Sequence, residues 1–158
     1  MSKVCCELIC ESYIKSFNQF NKKIIATVRA GNVIGGGDYS KDRIIPDIYR
    51  AYYNNNDVLL RNPSHVRPWQ HVLEPLVGYL ILAEKIYKKK LTNKTQNWNF
   101  GPNLRDCKTV RYVAEKFSKN LLIKLKVKKD RKKIKETSLL RLNNSKSKKY
   151  LNWRPKWS

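Results

Sequence analysis

Two stretches of this 158-residue chain carry the side chains best suited to act on a ligand. The first is Arg61-Asn62-Pro63-Ser64-His65-Val66-Arg67-Pro68-Trp69-Gln70-His71-Val72. Arginine can fork two donors onto a phosphate and can stack on a ring, so arginines beside aromatic and amide groups suit a phosphate-plus-sugar ligand. Arg67 is the sharper candidate. A surface arginine packed on Trp69 or paired with Glu74 would give the same pattern, and the two readings stand level. The second stretch is Arg29-Ala30-Gly31-Asn32-Val33-Ile34-Gly35-Gly36-Gly37-Asp38. A glycine-rich loop after a strand can cradle phosphates with its N–H groups. This one matches neither GxGxxG nor the P-loop pattern, and it opens no immediate helix. Glycines that let the backbone turn where no side chain fits are the leading reading. A loop that lies over a ligand and offers it the Asn32 amide stands between the two. By residue type alone, Arg43 reads as a solvated helix residue and Asn99 as a turn or edge hydrogen bonder. Asp106 and Glu136 read as surface carboxylates.

Other chemistries find little support. No Ser-His-Asp or Cys-His arrangement follows from order and spacing. No pair of carboxylates stands out as an acid and base. Cys5, Cys6, Cys10 and Cys107 form no CxxC, and His65 and His71 are the two histidines, so no metal site is expected. Cys6 and Cys10 fall on one helical face, where small apolar core residues are expected. This cysteine usage fits a reduced, cytoplasmic setting.

The net charge of +22 is uneven. Residues 1–80 carry 10 basic and 7 acidic groups, whereas residues 81–158 carry 24 and 5. The excess is mostly lysine, whereas groove reading and bidentate phosphate contacts more often use arginine. A biased composition on a solvated face is therefore favoured over nucleic-acid binding. The 41% apolar share supports a folded core. No run of eighteen apolar residues is present, and no membrane partner is expected.

The elements that must position these groups read as alternating helices and strands, an α/β class with irregular insertions. Helical periodicity begins abruptly near Lys3, with Val4, Leu8, Ile14 and Phe17 near one stripe, and a polar turn follows at Asn18 to Lys23. Ile24 to Val28 reads as a buried parallel strand. Asp42 is placed to cap a helix through Ile44, Ile48 and Tyr52. Short extended pieces follow at Val58–Leu60 and Val66–Val72, then a helix opened by Glu74 and Pro75. Trp98–Phe100 is a short strand, Thr109 caps a helix, and Leu121–Val127 alternates like a strand. Leu139–Leu142 is a last short strand, and Asn143–Leu151 a short helix. There are too few strands for a complete doubly wound sheet.

The glycine stretch, Asp42-Arg43-Ile44-Ile45-Pro46-Asp47, Arg61-Asn62-Pro63 and Val66-Arg67-Pro68-Trp69-Gln70-His71-Val72-Leu73-Glu74-Pro75 closely resemble the CDP-glucose 4,6-dehydratases. Trp98-Asn99-Phe100-Gly101-Pro102 and Leu151-Asn152-Trp153-Arg154-Pro155-Lys156-Trp157 fit as well. That group lies within the extended short-chain dehydrogenase/reductase family of nucleotide-sugar enzymes. The resemblance implies a C-terminal portion of the fold: residues 1–30 from the NAD-binding Rossmann domain, and 31–158 a sugar-nucleotide-binding portion with segments packing back on the sheet. Ser2-Lys3 is similar to the end of the family's Tyr-x-x-x-Lys, with the tyrosine, the glycine fingerprint and the acid/base carboxylates falling before Met1. The family's usual final helical stretch would lie beyond Trp157.

The resemblance also implies roles. Lys3 would hold the nicotinamide ribose of NAD and lower the tyrosine's pKa. Asn32 would contact the sugar nucleotide, Arg43 the diphosphate or sugar, and Arg67 would clamp the diphosphate. Asn99 would help seat the nucleotide end, Glu136 would reach its ribose, and Glu74 would act structurally. The implied substrate is CDP-glucose. NAD⁺ takes a hydride from C4, water is eliminated across C5 and C6, and the hydride returns to C6. The implied partners are a complementing N-terminal half or a second copy. The 158 residues by themselves are expected to be inactive. A nucleotide-sugar-binding protein without catalysis and a basic nucleic-acid-binding module are the alternatives.

Overall fold

A computed structural model describes residues 2–21, 24–91, 95–127 and 137–157. The chain divides into two compact units. The first gathers residues 1–30, 73–101 and 142–156; the second gathers 31–72, 102–141 and 157–158.

The first unit pairs two parallel strands, β1 (Ile25–Ala30) and β5 (Thr95–Phe100), in the register Val28 to Trp98 and Arg29 to Asn99. Around them pack α1 (Ser2–Asn21), α3 (Leu73–Tyr87) and α5 (Ser145–Leu151). Its core is Leu82, Leu91, Trp98, Phe100, Leu151 and Trp153. The Phe100 ring meets Trp153 edge-on at 5.1 Å and Tyr79 at 5.3 Å, the arrangement that aromatic quadrupoles favour. Trp153 Nε1 donates to the Glu74 carbonyl at 3.1 Å, and the Glu74 carboxylate accepts from the Lys156 N–H at 2.8 Å. Glu74 thus ties the chain's last segment to the start of α3, in keeping with a structural role.

The second unit holds two small sheets. In one, β4 (Val66–His71) pairs in parallel with β2 (Asn32–Ile34) and antiparallel with β6 (Cys107–Thr109). In the other, β3 (Val58–Leu60) runs parallel to β7 (Leu125–Val127). Helices α2 (Ile44–Tyr53) and α4 (Val110–Leu121) close over a core of Ile48, Ala51, Val58, Leu60 and Ala114. A 3-10 turn at Leu104–Asp106 leads into β6. Thr109 caps α4 as expected, accepting from the Tyr112 N–H at 3.1 Å.

Several expectations are corrected. The first helix runs on to Asn21, through the expected turn, of which Lys22 and Lys23 lie outside the described residues. Of its expected stripe, Ile14 is buried while Val4, Leu8 and Phe17 are exposed. The cause is Glu7, which points at β1 to bond the Arg29 guanidinium; Ile14, seven residues on, shares that face. Of the expected core pair Cys6 and Cys10, Cys6 is exposed and Cys10 half-buried, so Cys6 is not a core residue. Asp42 does not cap α2: it sits at φ 64°, and Arg43 is the N-cap residue with no side-chain cap bond. The Leu121–Val127 alternation is mostly overridden. Val113, Ala114 and Ser118 bury one face of α4, which therefore runs to Leu121, and only the last three residues pair as strand. Leu139–Leu142 gives one bridge, between Val66 and Leu139. Strands β2 and β6 were not anticipated; each is only three residues long.

Gly78 on α3 lies flat against the fully buried Phe100 ring, and a Cβ there would collide with it. Gly78→Ala is expected to destabilise the chain by about 1–3 kcal/mol through overpacking. A urea titration followed by tryptophan fluorescence measures this; an unchanged midpoint would contradict the packing.

Candidate functional site

The second unit contains a cleft of about 1440 Å³ lined by residues 31–39, 42–47, 59–62 and others, including His65, Arg67, Trp69, Val110 and Phe117. Asn32, Arg43 and Arg67 all line it. They arrive from different elements. Asn32 opens β2 and pairs in register with Trp69 of β4; Arg43 precedes α2; Arg67 is the second residue of β4. Glycine permits the strand pairing. A Cβ on Gly31 would strike the Pro68 carbonyl oxygen, and one on Gly35 would stand 2.6 Å from Val72 Cγ1. Gly37, at φ 77°, makes the turn that follows. Two of the clustered glycines thus serve close strand packing and one serves a turn.

Arg67 is only 7% exposed. Burying a cation costs several kcal/mol unless its donors are met. Its Nη1 donates to the Val66 carbonyl at 3.0 Å and the Ser138 carbonyl at 3.4 Å, and its Nη2 lies 3.1 Å from His65 Nδ1. The other lining arginines are more exposed and bond to aspartates. Arg43 pairs with Asp38 at 2.9 Å, Arg61 with Asp42 at 3.0 Å, and Arg50 with Asp47. Arg50 also donates to the carbonyls of Tyr39 and Ser40, and Arg61 to that of Asp42. Among the described residues the lining therefore carries four arginines against three aspartates. With Trp69, Phe117 and several tyrosines beside them, the cleft can take an anion joined to a flat ring. Phe117 and Val110 were missed in the sequence because α4 carries them from far along the chain. Their helical spacing marks core, not ligand.

The remaining candidates lie elsewhere. Lys3 is exposed on the first turn of α1, in the first unit. Asn99, also in the first unit, donates to the Asn143 carbonyl at 3.0 Å and does not line the cleft. Glu136 lies outside the described residues. A Tyr-x-x-x-Lys spacing that sequence reasoning passed over occurs at Tyr112 and Lys116. There, on α4, the Tyr112 ring is 44% exposed with Lys108 and Lys116 over it at 5.6 and 5.8 Å, a surface cation–π group. The described residues do not fit a whole dinucleotide. The glycine-rich segment leads into the loop of Asp38 to Arg43 instead of a helix N-terminus. Among the described residues no group of His, Cys, Asp and Glu is placed to hold a metal, and no helix is long and apolar enough to cross a membrane.

The fold matches solved structures over nearly the whole chain. Against Pal of Bacillus thuringiensis the TM-score is 0.78 at 20% identity, covering 99% of this chain and 47% of that one. A dTDP-glucose 4,6-dehydratase of Streptomyces venezuelae, solved with NAD bound, gives 0.77 at 17% identity over 96% and 44%. A UDP-glucose 4-epimerase of Thermotoga maritima, solved with UDP-glucose, gives 0.76 at 18% identity over 99% and 47%. No family model matches the sequence. The fold the chain shares with these structures is α/β, with parallel strands and flanking helices. In sequence, the chain is 43% identical over 167 residues to the CDP-glucose 4,6-dehydratase of Salmonella typhimurium, across 99% of this chain. It spans 45% of that relative's length.

Asp38 accepts from the Ser40 N–H at 3.0 Å, and this bond, with help from Arg43, holds its carboxyl below the ordinary value of 3.8. A lowered pKa means the loop contacts are complete above the unfolded carboxyl's pKa and are lost as pH falls through the folded one. A carboxyl-carbon NMR titration is expected to place the Asp38 midpoint below 3.8. A midpoint at or above that value would contradict the arrangement.

Proposed function

We propose that this chain supplies the substrate-gripping part of a CDP-glucose 4,6-dehydratase, with the cleft of the second unit holding the nucleoside diphosphate of CDP-glucose. The observation that carries this reading is the convergence of Asn32, Arg43 and Arg67 on one cleft. The sequence relationship to the Salmonella enzyme supports the substrate. Arg67 would meet the diphosphate with its rigid fork of donors, Arg43 would approach it from the start of α2, and Asn32 would offer its amide to the sugar. The first unit would be the cofactor-side portion, with Lys3 toward the nicotinamide ribose. Glu136 would attend the nucleotide end. The whole reaction removes water from CDP-glucose to give CDP-4-dehydro-6-deoxyglucose. The residues of this chain contribute binding and orientation to it.

Calorimetric titration with CDP tests the grip. Saturable binding is expected, and its absence would overturn the proposal. Arg67→Ala should weaken binding by about 2 kcal/mol, roughly thirtyfold. Arg67→Lys should recover little of that, since a point charge cannot replace the fork. Arg43→Ala, at an exposed position, should weaken binding less and leave the fold intact.

No GxGxxG occurs in the 158 residues. With CDP-glucose and NAD⁺ the chain by itself is therefore expected to show no dehydration. Measurable formation of the 4-keto sugar would contradict this.

A further inference from the structure

We propose that His65 is a positioning residue: its Nδ1 lone pair orients the Arg67 guanidinium toward an anion in the cleft. The proposal rests on the diphosphate reading above and adds a residue to it. His65 begins from a pinned backbone. Its N–H donates to the Asn62 carbonyl at 3.2 Å, closing the Asn62–His65 turn, and its carbonyl accepts from the Val110 N–H at 2.9 Å. The neighbouring Pro63 carbonyl accepts from the Arg111 N–H at 2.9 Å. This turn therefore meets two of the N–H groups that the first turn of α4 leaves open. The imidazole is presented from a fixed point.

Its chemistry follows from its partner. A guanidinium only donates, so the Nδ1 that faces Arg67 Nη2 at 3.1 Å must be the unprotonated nitrogen, which puts the ring proton on Nε2. The other two acceptors named for Arg67, the Val66 and Ser138 carbonyls, hold Nη1. The five N–H vectors of arginine lie in one rigid plane. Holding Nη1 from the backbone and Nη2 from His65 fixes that plane, and with it the edge presented to a ligand. Of these three acceptors, His65 is the one that a substitution can remove without breaking the sheet. Both residues line the cleft.

The test follows from where the accepting atom sits. Asparagine places an amide oxygen close to the position of Nδ1, whereas glutamine reaches toward that of Nε2. Two measurements decide the proposal. With only two histidines in the chain, nitrogen NMR on histidine-labelled protein reads each tautomer directly. His65 is expected as the Nε2–H form, and an Nδ1–H form would overturn the contact. In CDP titrations, His65→Asn should bind within about threefold of the parent chain, and His65→Gln should weaken binding about tenfold. Near-ultraviolet circular dichroism checks that both variants fold. If His65→Gln binds like the parent, or His65→Asn is no tighter than His65→Gln, the positioning role is overturned. If the parent chain does not bind CDP, the diphosphate reading fails and the positioning role fails with it; the tautomer still reports on the His65–Arg67 contact by itself.

Discussion

A guanidinium held almost out of water at the edge of a cleft constrains the rest of the second unit. Removing a cation from water is costly, and only well-placed acceptors offset the cost. Arg67 draws them from three directions: its own strand, the segment at Ser138, and the turn at His65. The Ser138 carbonyl serves twice, because it also accepts from the Val66 N–H at 2.8 Å. The same strand must pair with β2 on one side and β6 on the other. Gly31 and Gly35 meet that demand by letting β2 come close to Pro68 and Val72. The glycine cluster and the arginine cluster are thus one construction, joined by the Asn32–Trp69 register.

The arginines near the cleft mouth follow a different logic. Arg43, Arg50 and Arg61 are matched to aspartates on the same loop and helix start, so the segment from Asp38 to Asp47 is tied down by its own ion pairs. Exposed pairs of this kind contribute little to stability. Their consequence is geometric: the loop that carries Asp38 is held where an arriving anion must compete with a carboxylate for the same donors. Arg67 is held instead by carbonyls and an imidazole.

Much of this was legible in the sequence and some was not, for physical reasons. The α/β class, the parallel pairing of the strand near Ile25, the Thr109 cap and the helix after Glu74 came from local patterns that tertiary packing left alone, although that strand is half-buried and its Val28 exposed, where a buried strand was expected. The Leu121–Val127 strand held only over its last three residues, because three buried positions on α4 outweighed the alternation before them. The expected stripe on α1 failed because a polar residue, Glu7, faces the strand to meet Arg29, which no hydrophobic pattern reveals. Three-residue strands such as β2 carry too little pattern to be read. At the candidate site, Arg67, Arg43 and Asn32 were visible as residue types. The part His65 plays was not, because an imidazole beside an arginine in sequence gives no sign of which nitrogen faces it.

The central claim is that this cleft is built for a diphosphate. A crystal structure of the 158-residue chain grown with CDP tests it most directly. The account predicts both phosphate groups against the Arg67 edge and within reach of Arg43, with the base toward Phe117 and Trp69. A well-ordered complex with CDP bound anywhere else, with the Arg67 edge still facing only the protein, would contradict it.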